Sequence, residues 1–99
     1  MRILAIERDI PGADAVGMRR LLVEEAAAAW TLQKRDVLRE IWFTADHRAV
    51  LLLECENETA AREALDSLPL FREGYIDFEI LALLPYDGFE RLFGQARHE

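Results

Sequence analysis

An α+β fold, with two helices against one four-stranded antiparallel sheet, is predicted by three features of this 99-residue chain. Two strand-forming runs flank the polar turn Asp46-His47-Arg48, the pattern of a β-hairpin. A proline-free stretch rich in Ala, Leu, Glu and Arg precedes the hairpin, and a shorter helical stretch follows it. Apolar runs stand outside both helices, so the order is strand, helix, strand, strand, helix, strand.

The first strand is the apolar run 3–6, stopped by Ile10-Pro11-Gly12. Asp14 can cap a helix over 15–34, in which Met18, Leu21, Leu22, Ala28, Ala29 and Leu32 share one side at helical spacing. The hairpin strands are 37–45 and 49–56. Strict alternation puts Val37, Arg39, Ile41 and Phe43 on one face and Leu38, Glu40 and Trp42 on the other. In the next strand it opposes Leu51, Leu53 and Cys55 to Val50, Leu52 and Glu54. Asn57 or Thr59 caps a second helix that ends near Ser67 and is broken by Leu68-Pro69-Leu70-Phe71. The last strand is 75–84, closed by Pro85-Tyr86-Asp87-Gly88. This is the split βαβ order of a ferredoxin-like fold with both helices on one face of the sheet. Residues 1–99 read as one domain, with a core over about 2–84, a docking segment over 85–94 and a tail over 95–99.

Composition narrows the function. Twelve basic residues against nineteen acidic ones give a net charge of −7, which repels a phosphate backbone, so no nucleic-acid partner is expected. The single cysteine, Cys55, permits no intrachain disulfide, and its apolar surroundings suit a reducing cytoplasm. The apolar stretch at the amino terminus is too short for a signal peptide or a membrane span, so no membrane association is expected. There is no glycine-rich phosphate loop, nucleophile elbow or zinc motif.

With both helices on one face, the other face of the sheet needs a cover. Trp42, Val50, Leu52, Leu81 and Tyr75 fall there by alternation, among the acids Glu7, Glu40, Glu54, Asp77 and Glu79, and a second copy is the simplest cover. Phe89, Leu92 and Phe93 form one apolar turn that must dock on its own subunit or on a neighbour.

One residue breaks the apolar stripe of the first helix: Glu25 lies near its middle. A carboxylate turned toward an apolar sheet loses hydration and holds its proton more tightly, which suits a general acid or base near neutral pH. The bland alternative is a structural pair with Arg39. His47, at the hairpin turn, is a second acid–base candidate.

Arg39-Glu40-Ile41-Trp42 leading to His47 across the hairpin, and then Leu68-Pro69-Leu70-Phe71 before the last strand, resemble the muconolactone delta-isomerase family over about residues 21–84. The resemblance implies a dimeric α/β barrel that can build larger rings, with a site in a cleft between subunits. It also implies a proton shifted within an unsaturated lactone, with no cofactor and no metal. Position by position it matches Glu25 to the family's helix acid, Arg39 to its strand arginine, Trp42 to its tryptophan and His47 to its turn histidine. The family's lysine one turn before the acid is replaced here by Leu21 or Leu22. The expectation is therefore a cofactor-free, isomerase-like enzyme acting on a small unsaturated lactone or carbonyl compound. Glu25 and His47 are the expected catalytic residues, and Arg39, Trp42 and Glu40 the expected substrate-binding ones. Its rivals are a non-catalytic small-molecule-binding or assembly protein of the same fold and a cofactor-independent monooxygenase.

Overall fold

The computed structural model describes residues 1–94; the expected tail over 95–99 lies outside them. The elements are β1 (Arg2–Asp9), α1 (Ala15–Arg20), α2 (Leu22–Lys34), β2 (Leu38–Phe43), β3 (Ala49–Glu54), α3 (Glu58–Asp66), α4 (Pro69–Arg72) and β4 (Ile76–Leu83), followed by a 3-10 turn (Gly88–Leu92). The sheet order is β2-β3-β1-β4, antiparallel throughout, which is the ferredoxin-like topology expected. The caps follow the sequence: Asp14 accepts from the Val16 N–H at 3.1 Å, and Asn57 Oδ1 from the Ala60 N–H at 2.8 Å.

Three rows of residues cross the inner face of the sheet. Leu38, Leu53, Ile3 and Ala82 align in one; Ile41, Leu51, Ala5 and Ile80 in the next. The third holds Phe43 opposite Ala49 and Glu7 opposite Phe78. Leu32 of α2, Ala61 and Leu65 of α3, and Leu68 and Leu70 pack on these rows to form the core. The outer face carries Leu4, Ile6, Val50 and Leu52, all half-buried, with Trp42, Leu81 and Leu83 exposed.

Several expectations change. The long first helix is two helices meeting at Leu21, and Leu22 falls outside the apolar stripe, half exposed. The proline break is itself a short helix, α4, because Pro69 takes the first helical position, where its missing N–H costs nothing. In β2 the pairing jumps from Leu38–Leu53 to Glu40–Leu52, a bulge at Arg39. Leu38 therefore shares the buried face with Ile41 and Phe43, and strict alternation fails there. Tyr75 is on the helix side rather than the outer face; a Cβ at Gly17 of α1 would come within 2.9 Å of its Cζ. Glu7, expected on the outer face, continues the inner row Ile3–Ala5 and is only 8% exposed.

The segment after β4 leaves most of its apolar side chains exposed, though Gly88 is buried. Leu84, Phe89, Leu92 and Phe93 are exposed, and the Tyr86 and Phe89 rings meet edge to face with centres 4.9 Å apart. The radius of gyration is 16.8 Å, against about 13 Å for a compact chain of this length. The chain extends 59 Å along its longest axis, consistent with an arm leaving the body.

Candidate active site

Glu25 occupies the place its spacing gives it. Leu21, Glu25, Ala28 and Leu32 stand at helical intervals on the side that meets the core, the first three half-buried and Leu32 only 1% exposed. Glu25 Oε1 accepts the Leu70 N–H at 2.9 Å. That N–H belongs to the first turn of α4, whose N-cap, Leu68, has no side chain able to accept it. Glu25 therefore caps one helix from another. The structural pair with Arg39 is not formed: Arg39 is exposed, and its Nε donates to the Asp36 carbonyl at 2.9 Å. Arg39 fails to meet Glu25 because the bulge removes it from the inner row.

Burial raises the proton affinity of the Glu25 carboxyl above the usual carboxylate value. The Leu70 N–H opposes this, the charge of Glu7 adds to it, and Arg72 weakly opposes it. Glu7 is raised in the same way, chiefly by burial, against the Ala49 N–H, which donates to its Oε1 at 2.8 Å. Asp9 pushes Glu7 further up, and His47 pulls it back. So α2 and β1 each carry one desolvated carboxyl on the helix side of the sheet.

His47 sits in the left-handed region, at φ 67°, at the apex of the hairpin. Its N–H donates to the Thr44 carbonyl at 2.8 Å, the Arg48 N–H donates to Thr44 Oγ1 at 2.9 Å, and Asp46 bonds the Thr44 hydroxyl and Arg48. The imidazole stacks on Phe43, with ring centres 4.0 Å apart and planes 16° apart. Phe43 and Ile41 face the helix side yet are 63% and 47% exposed, so the helices leave this edge of the inner face open, with Glu7 in the same row as Phe43. This edge is thus an exposed apolar strip, with His47 stacked on Phe43 and Glu7 buried further along the same row.

The other two expected residues lie elsewhere. Trp42 and Glu40 are on the outer face, where the indole N–H donates to Glu40 Oε1 at 2.9 Å, and the sheet separates them from Glu25. The outer acids are largely matched: Asp77 with Arg8 at 3.0 Å, and Glu54 with Arg2 at 3.1 Å and the terminal ammonium at 2.8 Å. A cleft of about 380 Å³ at the other end of the hairpin, between the segment leading into β2, the end of β3 and α3, touches none of the candidate residues.

Sequence reasoning missed Glu7 as an inner-face residue. Its position two residues beyond Ala5 was the available signal, but Leu4 and Ile6 are as apolar as Ile3 and Ala5, so β1 alone could not show which row faces the helices.

These features define an α+β ferredoxin-like protein whose acid–base groups gather on the helix side of the sheet. Among solved structures, the chain is similar to muconolactone isomerase, in a crystal structure at 3.3 Å resolution: the TM-score is 0.72 and the identity 22%, over 100% of this chain and 97% of that one. The fold is muconolactone isomerase-like. No family model matches the chain, and no curated protein matches it by sequence. No helix among the described residues is long and apolar enough to cross a membrane.

Proposed function

We propose that this protein is a cofactor-free proton-transfer enzyme, isomerase-like, acting on a small unsaturated lactone or carbonyl compound. The observation that carries the reading is the Glu25 carboxyl on the core side of its helix: desolvated, held above the usual carboxylate range, and fixed by the Leu70 N–H. Such a group takes a proton from a carbon next to a carbonyl and returns it to another, so the reaction balances without a cofactor or metal. A carbanion formed there has its charge delocalised onto the carbonyl oxygen, and the site's part is orientation and proton transfer. His47, on a turn fixed by Thr44, serves as the second acid–base group. The likeness to muconolactone isomerase supports this reading through the fold.

Arg39, on the edge strand, is assigned to substrate binding through its guanidinium, whereas Trp42 and Glu40 lie across the sheet from Glu25 and take such a role only toward a second copy. That role fits a self-associated protein in which a second copy stacks on the outer face as a dimeric α/β barrel. Trp42, Leu81 and Leu83 favour such a cover, and the arm carrying Phe89, Leu92 and Phe93 reaches a neighbour. The cytoplasm is the proposed location.

The test is isomerisation and solvent proton exchange of muconolactone and related small unsaturated lactones by the purified protein, beside Glu25→Gln. Turnover lost in the variant supports the reading. Turnover unchanged in the variant removes Glu25 from the mechanism. Absence of turnover in both favours the rival reading, a ligand-binding or assembly protein in which Glu25 serves only to cap α4.

A further inference from the structure

The hairpin turn carries a side chain where glycine is the easier residue. The His47 N–H donates to the Thr44 carbonyl at 2.8 Å, and the Thr44 N–H donates to the Arg48 carbonyl at 2.8 Å, so Ala45 and Asp46 form a tight turn. One residue in the left-handed region follows it, His47 at φ 67°, a place that favours glycine or asparagine. A packing contact accompanies the histidine there: its ring lies nearly parallel to that of Phe43, with centres 4.0 Å and planes 16° apart. Phe43 is an inner-face residue paired with Ala49, whose N–H is held in turn by the Glu7 carboxylate at 2.8 Å. The phenyl ring therefore stands on the helix side of the sheet, the side that carries Glu25, and the imidazole lies against it. None of the side-chain hydrogen bonds among the described residues uses an imidazole nitrogen, so the stack is the contact that orients the ring.

We propose that Phe43 is the positioning residue for His47: its phenyl ring is a platform that holds the imidazole on the helix side of the sheet, with both ring nitrogens free at the edge. An unsupported histidine on a turn samples several rotamers, and a misplacement of about 1 Å can cost a reaction on the order of 100-fold. Stacking removes that freedom without occupying a nitrogen, which an orienting hydrogen bond would do. It covers one face of the imidazole and leaves clear the edge through which protons move. A strained backbone at 47 is thereby kept in exchange for a fixed proton carrier, where glycine would relax the turn and carry nothing. Phe43 acts through His47 and needs no contact with the substrate. This inference rests on the proposed acid–base role of His47, but its first measurement does not require turnover.

The experiment is proton NMR of the intact protein, with kinetics on the same samples, in the wild type, Phe43→Leu, Phe43→Tyr and His47→Gly. Phe43 is 63% exposed, so the changes there should fold, and His98→Gln separates the signals of the two histidines. In the wild type the His47 ring protons are expected upfield of those of a free imidazole, displaced by the phenyl ring current, with cross-relaxation to the Phe43 ring. Phe43→Leu should abolish both effects, and Phe43→Tyr, which keeps the ring, should retain them. Neither effect in the folded wild type overturns the platform. In the turnover assay Phe43→Leu should lower kcat about tenfold or more with KM little changed, and Phe43→Tyr should restore it. In the His47→Gly background Phe43→Leu should cost nothing further, because the platform then has nothing to hold. A kcat indifferent to Phe43→Leu, or a further loss in the His47→Gly background, overturns the positioning role. A stack in a protein that turns nothing over sinks the proton-transfer reading and leaves Phe43 holding the ring; turnover without a stack does the reverse.

Discussion

Replacing Glu25 by alanine and by glutamine separates the work its oxygen does from the work its charge does. Alanine removes the acceptor for the Leu70 N–H, and Leu70 is 8% exposed in the first turn of a helix with no other side-chain cap. An unmet buried N–H costs about 1–3 kcal/mol. Alanine's better helix propensity returns a few tenths, and loss of a desolvated charge returns somewhat more. The expected net loss is about 1 kcal/mol, or roughly 4–8 °C in Tm for a domain of this size. Glutamine keeps the acceptor and drops the charge, so at pH 7 it should melt at or above the wild type. The sign of the pH dependence follows from a carboxyl whose folded-state proton affinity is raised. Its contribution is fully present below the unfolded value near 4.5 and is lost as pH rises through the folded value. The glutamine variant's advantage should therefore grow from pH 4 toward neutrality. Circular-dichroism melts at fixed protein concentration across that range provide the assay. A glutamine variant as unstable as the alanine variant at pH 7 would refute the reasoning, because the charge itself would then hold the structure.

Two more outcomes test the packing. Trp42→Glu, on the outer face, should leave the fold intact but weaken self-association at least tenfold in sedimentation equilibrium; a wild type that sediments as a monomer would defeat the stacking proposal. Gly17→Ala should destabilise by about 1 kcal/mol despite a helix propensity gain of similar size, because the new methyl displaces Tyr75. In a Tyr75→Ala background the same change should become stabilising, and urea melts of the four proteins read the difference.

The order of elements and the sheet topology were legible because each signal was local: a hairpin turn, a proline-free helix and caps at Asp14 and Asn57. Glu25 was legible too, since helical spacing alone puts it in line with Leu21, Ala28 and Leu32. The misreadings have one cause. On β1 both rows are apolar, and on β2 a bulge breaks the alternation, so which side a strand residue faces was decided by pairing partners far along the chain. That is why Glu7 was placed with the outer acids and Arg39 was expected opposite Glu25. The capping of α4 by Glu25 was invisible for a similar reason, since it joins residues 45 apart.

The bulge at Arg39, rather than side-chain identity, sets which face the tryptophan takes. Beyond it, Trp42 looks outward and Phe43 inward; before it, Leu38 looks inward. Deleting residue 39 with Leu38 held in its buried place would remove the bulge yet leave Glu40 and Trp42 outward and Ile41 and Phe43 inward, whereas straightening the strand with residue 39 kept would turn Trp42 inward. The one extra residue thus lets a single edge strand give its leucine to the core and its tryptophan to the opposite surface, four positions apart, where plain alternation would put both on one side.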